Sequence, residues 1–249
     1  FTDQKIEERV KSVSDTLRLS SFLNSPARKL TADQKQLISL GRGLVREDVA
    51  GVLMDEPLTV IDPDLKFRLR RNLKEINEQY KTTLVYVTHD QNEAMTFADN
   101  IIVMDQGEIV QVGLPKDLFE KPRTTFVGYF IGSPAMNLFN SEILSDNSIM
   151  FNNDTIKTKT DLSKIKDKNV KLGIRSEFIK IATDQKENIV SVKVTRVEDF
   201  GNFKLITGKA GDLEIKSKVE REIPISTEEL KLHLPAEKCC IYSNEMLVN

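Results

Sequence analysis

Two adjacent carboxylates, Asp55 and Glu56, end the apolar run Val52-Leu53-Met54 and stand just before Pro57. Such a pair at the carboxyl end of a strand can divide labour, one holding Mg²⁺ and the other polarising a water. A plainer reading also stands, since strands that leave a core for solvent often end in acidic residues. Val52 to Met54 read as a buried strand, too short and too unbroken for an amphipathic helix. Parallel α/β sheets place their ligand crevices at strand ends of this kind.

The elements that must position these carboxylates follow directly. Leu58-Thr59-Val60-Ile61-Asp62-Pro63 offers an N-cap aspartate before a proline suited to the first helical position. Leu65, Leu69, Leu73, Ile76 and Tyr80 then recur at steps of three and four, which predicts a helix to about Tyr80. Thr83-Leu84-Val85-Tyr86-Val87-Thr88 is a second β-branched run, ending in His89-Asp90. Strand, helix, strand in that order is a βαβ crossover, which brings both strand ends to one edge of a parallel sheet. Asp55, Glu56 and His89 should therefore converge. A lone histidine after a strand more often caps or packs; one sharing an edge with two carboxylates is a site candidate.

Upstream, Leu30-Thr31-Ala32-Asp33-Gln34 carries a capping box, Thr31 with Gln34 three residues on. Leu37, Leu40, Gly41, Leu44 and Val45 form the helical stripe behind it. Capping boxes start many helices that bind nothing. The functional reading is that N–H groups exposed at a helix start form an anion site.

Taken in order, LTADQ, LMDEP, an aspartate-containing loop and VTHDQNEAM resemble the nucleotide-binding subunit of ABC transporters, in the sugar and polyol importer branch (maltose-type). The resemblance implies a Walker B aspartate at Asp55 holding Mg²⁺, a catalytic glutamate at Glu56, a D-loop aspartate at Asp62 and a switch histidine at His89. Thr31, Ala32, Asp33 and Gln34 fall on the signature motif that meets ATP. The likeness continues through Ala98-Asp99, the Met104-Asp105-Gln106-Gly107 turn and Phe130 to Asn137, and is close over roughly the first 140 residues. It implies ATP and Mg²⁺ as cofactors and integral-membrane permease subunits and a second ATPase subunit as partners. The implied location is peripheral, at the cytoplasmic face of the membrane.

Two departures from the family pattern carry consequences. No G-x-x-x-x-G-K-[ST] loop occurs, so the phosphate cradle and its lysine are not among these residues. The chain opens at Phe1, and Ile6, Val10, Val13 and Leu17 begin at once on a helical period. It reads as a fragment beginning just after the Q-loop of such an ATPase, and a fragment of that kind should be inactive alone. The second departure lies in the signature, where Leu-Ser-Gly-Gly-Gln is replaced by Leu30-Thr31-Ala32-Asp33-Gln34. A carboxylate at Asp33 about 4 Å from another negative charge would cost roughly 1–4 kcal/mol, and Ala32 and Asp33 lose the close backbone approach of glycine. That repulsion favours a heterodimer, in which a glycine-bearing partner completes one good site. The variant signature, with Gly41 to Arg46 and Leu58 to Pro63, looks closer to glycerol-type than to maltose-type importer ATPases.

A chain of 249 residues accommodates one or two domains. A net charge of −2, with spread charges, gives no footprint for nucleic acid or a membrane surface. No apolar run approaches a spanning helix and no signal-peptide pattern is seen, so direct membrane insertion is not expected. Cys239 and Cys240 are adjacent, without metal or redox spacing, and read as small reduced hydrophobes.

Asn100 to Met104 and Glu108 to Val112 flank Asp105-Gln106-Gly107, a hairpin with Gly107 placed for positive φ. A short helix should follow Pro115. After about Asn140 the chain turns polar and lysine-rich between short strands: Lys171 to Arg175, Val190 to Thr195, Phe203 to Thr207 and Leu213 to Lys216. These predict a small all-β, OB-like barrel. Within the family such a tail resembles the regulatory TOBE domain, with Gly173-Ile174-Arg175-Ser176-Glu177 on its GIRPE-like segment. The lysine-rich stretch 157–168 lacks interleaved aromatics and is balanced by Asp161 and Asp167, as in a solvated surface.

The expected fold is thus the C-terminal part of an α/β P-loop ATPase domain (1–138) followed by a TOBE-like barrel (139–249). Three function classes meet these features: an importer ATPase, a soluble ABC-type ATPase of DNA repair or translation, and a non-catalytic regulatory module. The GSPAMN passage and the β-rich tail favour the first.

Overall fold

The computed structural model describes residues 2–46, 49–59, 61–225 and 228–248, without the side chains of Ile76, Gln79 and Tyr80. Phe1, Val60 and the side chains of Ile76 and Tyr80, all used in the sequence reading, lie outside the described residues. The chain divides into two compact units, 1–98 and 99–249.

The first unit runs α1 (Asp3–Thr16), α2 (Ala32–Leu44), β1 (Gly51–Asp55), α3 (Pro63–Tyr80), β2 (Thr83–Val87) and α4 (Gln91–Phe97). β1 and β2 pair in parallel with Gly51 opposite Thr83 and Asp55 opposite Val87, which is the crossover predicted from the two apolar runs. Asp62 caps α3, its carboxylate accepting the Asp64 N–H at 3.0 Å with Pro63 in the first turn. The helical stripe of α2 is buried through Leu37, Leu40, Gly41 and Leu44. A Cβ at Gly41 would approach Leu17 Cδ1 to 3.2 Å, so the leucine tip would have to give by a few tenths of an ångström. Leu17, Leu58, Leu69 and Leu73 complete this core at 0–1% exposure, each contributing about 1.5–3 kcal/mol.

Two expectations are corrected here. β1 was expected to be buried on both faces, yet only Val52 and Met54 join the core, beside Leu84 and Tyr86. Leu53 is 83% exposed, and Val85 and Val87 on β2 share its open face. Among the described residues of this unit the helices pack on one side of the sheet, so period-2 alternation leaves every other apolar residue uncovered. In α1, likewise, Val13 and Leu17 are buried, but Ile6 and Val10 are exposed because the helix meets the core only in its later turns.

The second unit begins with a hairpin, β3 (Ile101–Asp105) and β4 (Glu108–Gly113), turned by Gln106 and Gly107 at φ 49° and 84°. The expected helix after Pro115 is α5 (Pro115–Glu120). A second short helix, α6 (Thr125–Phe130), was not foreseen; the Thr124 hydroxyl caps it by accepting the Val127 N–H at 3.2 Å. The strands that follow are β5 (Asn137–Ser145), β6 (Ser148–Phe151), β7 (Asp154–Lys157), β8 (Asn169–Ile174), β9 (Lys180–Ile181), β10 (Ile189–Asp199), β11 (Phe203–Ala210), β12 (Leu213–Glu220), β13 (Glu229–His233), β14 (Cys240–Ser243) and β15 (Met246–Leu247). They form a five-stranded sheet, ordered β12-β11-β10-β13-β9, and a six-stranded one, β15-β14-β8-β5-β6-β7. Both sheets contribute to one core, with Phe139, Ile149, Leu172 and Ile174 from one and Val190, Val192, Ile215 and Leu232 from the other. This arrangement fits the OB-like barrel expected from the sequence.

Arg175 is fully buried in this unit. Its guanidinium donates to the carbonyls of Phe119 and Gly128 at 2.9 Å and to that of Ile131, and lies 4.4 Å from the Phe119 ring centroid. One arginine thereby satisfies carbonyls at the ends of both short helices, which is why an otherwise apolar strand end carries a cation. Cys239 and Cys240 are free and buried, and burial pushes the Cys239 thiol up to about 12.

Candidate functional site

β1 and β2 deliver their carboxyl ends side by side, and the candidate site is built on that edge. Beyond Asp55 the backbone turns sharply, for Glu56 adopts φ 47°, a left-handed conformation that side-chain-bearing residues rarely take. The Glu56 N–H donates to Val87 O at 2.9 Å, which continues the ladder by one residue. Its carboxylate is thereby aimed across the edge at the residues after β2. It accepts the His89 N–H at 2.9 Å and the Thr59 hydroxyl at 2.9 Å, and it is hydrogen-bonded to His89 Nδ1. Burial alone would raise its pKa; the hydrogen bonds from His89 and Thr59 outweigh burial and hold it below the usual glutamate value. The glutamate is thus an ionised acceptor with both oxygens engaged.

Asp55 sits beside this pair, exposed at the end of β1, and among the described residues its carboxylate has no protein partner. No group of three or more metal-ligating side chains occurs among the described residues. Asp55 offers one open carboxylate, the kind of donor that Mg²⁺ takes together with waters and phosphate oxygens.

The signature-like residues lie apart from the pair, at the start of α2. The Thr31 N–H donates to Gln34 Oε1 at 3.0 Å, the reciprocal half of the expected capping box. The Thr31 hydroxyl donates to the Asp33 carboxylate. That bond, helped by the N–H groups of Gln34 and Asp33, lowers the Asp33 pKa. Asp33 thus lays a fixed negative charge on the helix start, where an incoming anion would need those same donors. Ala32 is exposed in the first turn beside it, and Asp62 is occupied locally by its cap.

Three contributors escaped the sequence reading. Thr59 follows Glu56 by three residues, a spacing that could have been read as a turn returning its hydroxyl. Gln36 donates through Nε2 to Glu56 O at 2.9 Å, joining α2 to the edge. Glu93 is the third, buried beneath the histidine loop. It accepts the Tyr86 hydroxyl at 2.7 Å and the Thr88 hydroxyl at 3.1 Å, with Lys66 at 3.2 Å and Arg70 at 3.8 Å. Long-range side-chain bonds of this kind leave no periodic trace in a sequence.

Among known proteins, no family model matches the chain. Curated relatives do. The sn-glycerol-3-phosphate import ATP-binding protein UgpC of Pectobacterium atrosepticum is 35% identical, over 98% of this chain and 69% of its own length. The same protein of Salmonella typhimurium is 36% identical over 96% of this chain and 68% of its own length. The trehalose/maltose import ATP-binding protein MalK of Thermococcus litoralis is 37% identical over 84% and 59%. Among solved structures, an ATP-binding cassette of an ABC transporter in its ADP conformation overlaps 49% of each chain at 22% identity and TM-score 0.41. CbiO1 of Clostridium perfringens overlaps 49% of this chain and 48% of its own at 25% and 0.44. Overlaps this partial carry no weight beside the sequence relatives. With identity of this order sustained across nearly the whole chain, and the Asp55, Glu56 and His89 edge in place, the chain belongs to the ATP-binding subunits of sugar and polyol ABC importers.

Proposed function

We propose that the chain carries the water-activating half of an importer ATPase site. The observation that carries this reading is the Glu56–His89 pair, held on one sheet edge beside an unpartnered Asp55. In this reading Glu56 positions and polarises the attacking water. His89 contacts the terminal phosphate, and Asp55 holds Mg²⁺ through water. Bound Mg²⁺ supplies charge neutralisation on the phosphates. Thr31, Ala32, Asp33 and Gln34 face ATP at the start of α2, and Asp62 lies on the loop between subunits. Residues 1–138 serve the ATPase and 139–249 form a TOBE-like regulatory barrel.

The relatives' names support glycerol phosphate or a sugar as the cargo of the complete transporter. They also support a permease partner in the membrane. Among the described residues no helix is long and apolar enough to cross one; the location proposed from the relatives' names is peripheral, at the cytoplasmic face of the membrane. Alone, these 249 residues contain no Walker A loop. They are therefore expected neither to bind ATP tightly nor to hydrolyse it, because backbone N–H groups and a lysine of that loop provide most phosphate contacts in P-loop ATPases.

The test is Glu56→Gln in a subunit complete with a Walker A segment. Nucleotide binding should persist while turnover falls by a factor on the order of 100 or more, the loss of a positioned base. Hydrolysis within about threefold of wild type, a difference of under about 1 kcal/mol in barrier, would refute the role given to Glu56. Calorimetry on the 249-residue chain itself checks its inactivity; micromolar affinity for Mg·ATP would overturn that part.

A further inference from the structure

We propose that Gln36 is a positioning residue that holds the Glu56 carbonyl, and with it the Glu56 carboxylate on His89, so that α2 and the working pair move together. The inference rests on the reading of Glu56 and His89 given above. A left-handed backbone at a glutamate persists only where its surroundings over-determine it, and here each group of Glu56 is tethered. The N–H is held by Val87 O, and the carboxylate by Thr59 and His89. The carbonyl accepts the Thr59 hydroxyl at 3.1 Å and the Gln36 amide at 2.9 Å. Of these tethers Gln36 alone comes from α2.

Its orientation is also informative. Gln36 Oε1 is buried with no hydrogen-bond partner. Flipping the amide would set that oxygen against Glu56 O, so the donor must face the carbonyl. An apolar side chain of the same length would fill the space without an orphaned oxygen, and packing alone therefore does not account for a glutamine here. Gln36 lies in the second turn of α2, close behind Thr31 to Gln34. A shift or rotation at the helix start is delivered through one hydrogen bond to the residue that aims at His89.

The chain has only two histidines, His89 and His233, so its imidazole nitrogens can be followed by NMR without crowding. In wild type, the His89 Nδ1 signal should show the Glu56-bonded state, with Glu56→Ala as the reference for its loss. Gln36→Met should displace that signal by the same amount as Glu56→Ala and leave His233 unmoved. Leu40→Ala, which loosens the same helix without touching the donor, should leave the His89 signal in place. An unmoved signal in Gln36→Met, or equal displacement in Leu40→Ala, would overturn the proposal. Should Gln36→Met fail to fold, the wild-type Gln36 side-chain amide decides. Exchange at least tenfold slower than exposed glutamines sustains the bond, and equal exchange refutes it. Because no nucleotide enters the measurement, its failure leaves the Glu56→Gln test of the ATPase reading untouched, and the reverse holds as well.

Discussion

Glu93→Ala should be the most damaging single truncation on the polar side of the first unit. The carboxylate is 4% exposed and accepts two hydroxyl hydrogen bonds, from Tyr86 at 2.7 Å and Thr88 at 3.1 Å. It also neutralises Lys66 and Arg70, whose side chains keep 21% and 18% exposure. Removing one partner of a buried ion pair costs about 3–5 kcal/mol when the remaining charge is trapped. Here both cations can turn toward water, which brings the electrostatic part down to about 1–2 kcal/mol. Thr88 keeps a partner, since its oxygen accepts the Asp90 N–H at 3.0 Å. Tyr86 loses its acceptor while half-buried, at about 1–2 kcal/mol. The sum is about 3 kcal/mol. Glu93→Gln retains an acceptor for Tyr86 and loses only the charge, so about 1–2 kcal/mol is expected.

Urea titration followed by helical ellipticity reads this unit, because α1 to α4 carry most of the helix in the chain. With a slope of about 1.5 kcal/mol per molar urea, the alanine variant should lower the midpoint by about 2 M and the glutamine variant by about 1 M. A shift below about 0.5 M for alanine would show that Glu93 is not the hub described. Glutamine as damaging as alanine would show that the charge, and not the Tyr86 hydrogen bond, dominates.

Further outcomes follow from other sites. Burial, then the Glu93 hydrogen bond, raises the Tyr86 pKa; the folded state holds that proton more tightly, so stability should fall as pH rises above the ordinary tyrosine value of about 10, and Tyr86→Phe should flatten that fall in urea titrations run across this range. Arg175→Met should cost about 3–5 kcal/mol, read as loss of β-sheet ellipticity at lower urea, because it orphans the carbonyls of Phe119, Gly128 and Ile131; Arg175→Lys should restore little, having no planar fork to reach all three. On the partner, Asp33 should make a homodimer of complete subunits poor at both sites, so a second ATPase with glycines in its signature is expected to co-purify; a normally active complex holding two copies of this subunit and no second ATPase would end the heterodimer reading.

The parts of this structure legible in the sequence are those that short-range rules govern. The Asp62-Pro63 start of α3, the Thr31 start of α2 and the turn at Gln106-Gly107 each depend on residues within one turn of each other. The βαβ crossover was legible because handedness and adjacency leave one arrangement for two apolar runs joined by a helix. The open face of that sheet was not. Leu53, Val85 and Val87 are as apolar as the buried Met54, and composition cannot say which face of a strand is covered.

The same division holds within the site. Sequence order brought Glu56 and His89 to one edge, but not the left-handed backbone that turns the glutamate toward the histidine. Thr59, from the same turn, and Gln36, from α2, both bond to that glutamate, and only the Gln36 bond needs the folded chain to bring its partners together. Asp33 shows the opposite failure. The sequence marks its charge as a liability for an approaching phosphate, and in the structure its first effect is local. The Thr31 hydroxyl and the neighbouring N–H groups already stabilise that carboxylate. Any anion at this helix start must therefore compete with a charge that the helix itself has captured, a stronger obstacle than repulsion from a side chain free to swing away.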